Sequence, residues 1–133
     1  MRYALATIGA LALGGCSMGA DMKVGGDAVA TFHKQLDAGQ FAAIEAAGGS
    51  EINRSPGQLV KLLEAVHRKL GNTKSSEQVG FNDQVNTGGH FLSLNYSTTF
   101  EKGAASENFC YRIVGGRAVL AGYHIASDAL ILN

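Results

Sequence analysis

The chain has 133 residues, with 11 basic side chains against 11 acidic ones. So even a balance leaves no electrostatic footprint for nucleic acid, which is excluded as an expected partner. The length suits one small domain once an N-terminal leader is set aside.

Met1-Arg2 is a short basic start, and residues 3–13 are an apolar run. The run is shorter than the roughly 20 residues needed to span a bilayer. It has the size of a signal-peptide core. Leu13-Gly14-Gly15-Cys16 follows at once. These residues resemble the lipobox of bacterial lipoproteins, in which an aliphatic residue stands three before a cysteine with small residues between. The resemblance implies that residues 1–15 are removed as a signal peptide and that Cys16 carries lipid on its thiol. Ser17, standing where an Asp would signal retention, resembles the sorting pattern for the outer membrane. The expected address is therefore the cell envelope, lipid-anchored, facing the periplasm. An ordinary secretory leader that contains a Cys is the alternative.

Residues 16–26 are small and polar and predict a flexible tether, leaving residues 27–133 as a single domain. Asp27 is a good N-cap, and Val29, Phe32 and Leu36 share one helix face. After an interruption at residues 36–41, Phe41, Ile44 and Ala47 predict a short second segment that ends at Gly48-Gly49. Ser55-Pro56-Gly57-Gln58 predicts a helix start with Ser as N-cap, Pro at N1 and a capping-box Gln at N3. Leu59, Leu62, Leu63, Val66 and Leu70 form its apolar stripe. Gly71 closes it beyond the basic turn of His67, Arg68 and Lys69.

Residues 76–125 predict a four-stranded antiparallel meander. Leu92, Leu94, Tyr96, Thr98 and Phe100 alternate with Phe91, Ser93, Asn95, Ser97 and Thr99, as in a strand with one buried face. Gly88-Gly89 and Gly115-Gly116 predict two-residue turns. A four-residue loop is expected after Glu101. These loops place Phe81 opposite Tyr96, Val85 opposite Leu92, Tyr96 opposite Tyr111, Phe100 opposite Glu107, Tyr111 opposite Leu120 and Glu107 opposite His124. The expected inner face then includes Val79, Phe81, Asp83 and Val85 on the first strand, and Phe109, Tyr111 and Ile113 on the third. It ends with Ala118 and Leu120.

N-terminal helices followed by a curved antiparallel sheet resemble the nuclear transport factor 2-like, ketosteroid-isomerase-like cone. The joint at residues 36–41 and the terminal strand at residues 115–123 carry the resemblance, which covers residues 27–125. Members often have a tryptophan near the position of Arg117, and this chain has none. The resemblance implies an α+β fold with a conical cavity between sheet and helices, closest to exported bacterial members of unknown function. It does not imply catalysis, since such folds host enzymes, binders and assembly modules alike.

The expected role is a small binding or assembly module at the envelope. The alternative is a small-molecule enzyme, isomerase- or hydrolase-like, that uses the cavity. Asp83 is the one carboxylate that the expected register puts on the apolar face, where desolvation would suit a general base. Tyr96 and Tyr111 would be the nearest hydrogen-bond donors. Glu107 and His124 form a candidate acid–base pair, or a solvated pair at the sheet end. His33, His67 and His90 lack ligand spacing, so neither a metal site nor a cofactor is expected. Cys110 is expected half-buried on the face opposite Tyr111. That outer face could pair two copies of the chain, and the cavity could take a small apolar ligand.

Overall fold

A computed structural model describes residues 13–132, so most of the expected leader lies outside the described residues. Four helices precede the sheet: α1 (Leu13–Asp37), α2 (Phe41–Ala47), α3 (Ser50–Asn53) and α4 (Gln58–Leu70). Then come β1 (Thr73–Asn86), β2 (Gly89–Phe100), β3 (Gly103–Val114), β4 (Arg117–Ala126) and a terminal α5 (Asp128–Leu132). The architecture is α+β, with an antiparallel sheet in the order β1-β2-β3-β4. Among the described residues, no helix is long and apolar enough to cross a membrane.

The stretch expected as a tether is instead the first part of α1, which runs unbroken through residues 16–26. Its small residues serve packing. Gly25 is buried, and a Cβ there would lie 2.8 Å from Leu92 and 2.9 Å from Leu94. The helix can therefore press directly onto β2. Met22 joins the same core, and the stripe continues through Val29, Phe32, His33 and Leu36. At its far end, Asp37 accepts hydrogen bonds from the backbone and hydroxyl of Thr73, at 2.9 and 3.0 Å.

Helix α4 buries Leu59, Leu63, Val66 and Leu70, close to the expected stripe. Its start differs from expectation. Gly57, in a left-handed conformation, is the N-cap, and neither Ser55 nor Gln58 makes a capping bond through its side chain. Glu45 of α2 does the work instead. Its carboxylate accepts from the backbone N–H groups of Gly57 (2.9 Å) and Val60 (3.2 Å). A negative charge there also complements the helix dipole.

The sheet keeps most of the expected phase with a different register. Phe81 faces Leu94, and Val85 faces His90. Tyr96 faces Glu107, Phe100 faces Gly103, and Tyr111 faces Leu92 as well as the expected Leu120. The β2–β3 turn is only Glu101-Lys102, because the residues after it belong to the strand. Gly103 is small because helices cover it: a Cβ there would lie 3.0 Å from Ala129 of α5 and 3.7 Å from Leu70 of α4. Each of these shifts is even along the strand, so each preserves which face a side chain occupies.

An extra residue at Lys74 shifts the phase at the start of β1, and two further irregularities change it later in the sheet. One lies between Gln78 and Gly80 and leaves Val79 in the bulge, largely exposed. The other lies in β4, where Cys110 faces Gly122 but Tyr111 faces Leu120, so Ala121 is the extra residue. Beyond it Tyr123 turns inward opposite Phe109, while His124 faces Asn108 on the outer side. The expected Glu107–His124 pairing therefore does not form.

Substituting Gly25→Val should destabilise the fold by about 1–3 kcal/mol, as overpacking does. Gly19, with nothing within 4 Å of a built Cβ, is the control. Gly19→Ala should be neutral or stabilising by up to about 1 kcal/mol through helix propensity. Urea unfolding of both variants reads the difference.

Candidate functional site

The inner face of the sheet centres on a buried carboxylate. Glu107 alternates with Phe109 and Tyr111 along β3, so the pleat points it at α1. Its side chain is 0% exposed. Oε1 accepts from His33 Nε2 of α1 (2.7 Å) and from the hydroxyl of Thr98 on β2 (2.6 Å). Oε2 accepts from the hydroxyl of Tyr123 on β4 (2.5 Å). Thr98 is in turn 2.9 Å from the hydroxyl of Ser76 on β1. Every strand and the long helix thus contribute to one polar knot.

An aromatic shell seals it. Phe109 meets the rings of Phe32, His33 and Tyr96 edge-on, at centroid distances of 4.9, 5.7 and 5.7 Å, as in favourable T-shaped pairs. Burial pushes the Tyr123 hydroxyl well above the ordinary tyrosine range, and the neighbouring Glu107 charge adds to the effect. Tyr111 is raised in the same direction, by burial first and then by Tyr96 and Glu107.

The other expected candidates are dispersed. Asp83 does sit on the inner face, opposite Leu92, but it bonds His90 Nε2 at 2.6 Å. Leu92 separates it from Tyr111, two strands away and so roughly 10 Å off. Tyr96 and Tyr111 do not stack on each other, since Phe109 lies between them at 5.7 and 6.2 Å. His124 is exposed on the outer face. Cys110 is half-buried on that face, and burial pushes its thiol up, away from nucleophilic reactivity. Cys16 lies within the backbone span of α1.

An open cleft of about 260 Å³ lies elsewhere, between α1, α2 and the start of β4. Ala28, Phe32, Ile44, Ala47, Ala118 and Leu120 line it, with Tyr111 reaching it and Thr31 and Gln35 as polar groups. Its size and lining suit a small apolar ligand or a partner's side chain.

His33 and Glu107 were both legible as anomalies of pattern. His33 falls on the Val29, Phe32, Leu36 face of a helix, and Glu107 continues the inner alternation of β3. A polar group on each of two facing apolar surfaces predicts that they meet. No family model, curated protein or solved structure matches this chain.

Two outcomes test the knot. His33→Leu should cost about 3–5 kcal/mol, because it strands a buried carboxylate. Adding Glu107→Leu should recover part of that loss, giving a coupling of about 0.5–3 kcal/mol in urea melts, whereas strict additivity would contradict the arrangement. The raised tyrosines give a pH dependence of definite sign. Their stabilisation is complete below the unfolded tyrosine pKa of about 10 and is lost as pH rises through the folded values. The phenolate absorbance of Tyr111 and Tyr123 should therefore appear only together with loss of the circular dichroism signal.

Proposed function

We propose that this protein is a non-catalytic binding or assembly module, held at the cell envelope by lipid on Cys16. The observation that carries the binding reading is the closure of Glu107. Both oxygens are hydrogen-bonded and the side chain is fully enclosed, so the innermost carboxylate is already engaged by the protein's own donors. The apolar cleft beside Tyr111 stays open and supplies a surface for a small apolar ligand. An enzyme built on Asp83 and a tyrosine would need them on one open surface, and Leu92 separates them.

The order of helices followed by an antiparallel meander supports membership of the nuclear transport factor 2-like cone class, with its interior largely filled by side chains. The leader pattern ending at Cys16 supports an outer-membrane anchor facing the periplasm. The continuity of α1 sharpens that picture. From Cys16 to the packed Gly25 the helix rises about 14 Å, at about 1.5 Å per residue. The domain would ride close to the bilayer on a helical stem. The polar outer face, where Asn108 bonds Ser93 and Asn95, is the surface left for a second copy.

Native mass spectrometry of the chain extracted from envelopes tests the reading. The expected species begins at Cys16 and carries two or more acyl chains, the number needed for firm anchoring. Cys16→Ser should release the protein from the membrane fraction. An unmodified wild-type chain, or one cut elsewhere, would sink the anchor.

A further inference from the structure

We propose that Asp21, Asp83 and His90 bind one divalent transition-metal ion of the zinc class. The three residues come from α1, β1 and β2, and their ligand atoms all lie within 4.8 Å of one another. His90 Nε2 is 2.6 Å from Asp83 Oδ1 and 3.6 Å from Asp21 Oδ2. The side chains are 18%, 17% and 25% exposed for Asp21, Asp83 and His90, so the two carboxylates are held together while partly withdrawn from water. Two carboxylates so placed repel one another, and a cation between them relieves that repulsion. A single imidazole N–H can point at one carboxylate only, and here it serves Asp83. A divalent ion would serve all three ligands at once.

The donor set identifies the class of ion. One imidazole and two carboxylates suit zinc, manganese or iron, whereas thiolates select softer ions and calcium prefers a fuller oxygen shell. Bonds of about 2.0–2.2 Å place tetrahedral ligands roughly 3.3 Å apart. The His90–Asp83 contact would open by less than about 1 Å, within reach of a side-chain rotation, as Asp21 closes in. Three protein ligands leave a fourth position open, as in sites that accept water or an exogenous anion. Phe81 and Val85 stand exposed on either side of Asp83 along β1, so that position has an apolar rim. The bound ion would also cross-link the first turns of α1 to the β1–β2 hairpin. Because its ligands are scattered along the chain, the site has no sequence motif.

The test uses the untagged full chain in detergent, titrated calorimetrically with Zn²⁺ and followed by electronic absorption with Co²⁺. A single saturable equivalent is expected, with cobalt ligand-field bands and no thiolate charge-transfer band. Asp83→Asn and Asp21→Asn should each weaken binding by more than about tenfold, since even an outer-shell partner is worth that much. Cys16→Ser and Cys110→Ser should leave it unchanged. Should Asp83→Asn prove unfolded by circular dichroism, the isosteric Asp21→Asn decides alone. Absence of saturable binding overturns the proposal, as does wild-type affinity in Asp21→Asn or binding lost with either cysteine.

Discussion

Burying a carboxylate without partners costs several kcal/mol, and the fold is arranged so that Glu107 is never without them. Its donors come from α1, β2 and β4. Each donor fixes a different degree of freedom. His33 sets how far α1 is rotated and slid along the sheet, because a shift of one residue would carry the imidazole off the facing surface. Thr98 ties the β2–β3 register, and Tyr123 ties β4. Apolar contacts among Phe32, Phe109 and Leu94 supply much of the cohesion but tolerate small slips. Hydrogen bonds to a charged group do not, so specificity of arrangement resides in the knot.

The knot depends in turn on a single extra residue. With unbroken alternation from Leu120, Tyr123 would face outward and His124 inward. Ala121 breaks the alternation, and Gly122 opposite Cys110 follows it on the outer side. The bulge thus exchanges a histidine for a tyrosine opposite β3's inner face. A tyrosine is the better donor to a buried carboxylate here, because its ring also fills the space beside Phe32 and Phe109 at 4.7 and 5.2 Å. An insertion of this kind leaves the sequence pattern on either side intact, which is why regular alternation misplaces His124.

The inner phase of β2 and of the Phe109–Ile113 stretch, and the stripe of α4, follow from periodicity because one face of each must leave water. The length of α1 does not. Small residues such as Gly25 and Gly26 usually punctuate, and only the presence of Leu92 and Leu94 beneath Gly25 turns its smallness into close packing. The same reversal applies at Gly103, where α5 rather than a loop explains the missing side chain. The cap of α4 was illegible for a related reason: Glu45 is distant in sequence, and nothing local marks it as the acceptor for Gly57. Asp83 falls on the face that alternation predicts, but its neighbours do not follow from alternation, since they lie on α1 and on the hairpin strand.

The two ends of the inner face are consequently unlike. Around Glu107, α1, β3 and β4 close on one another with every polar atom of the carboxylate engaged. Towards the β1–β2 hairpin the sheet outruns its helical cover, and Phe81 and Val85 remain exposed beside Asp83 and His90. Order is therefore concentrated where the chain has no access to solvent, and accessible chemistry where the packing thins out. Since α1 spans both regions as one rigid element, any ligand that engages Asp21 acts on the same helix that His33 anchors to the core.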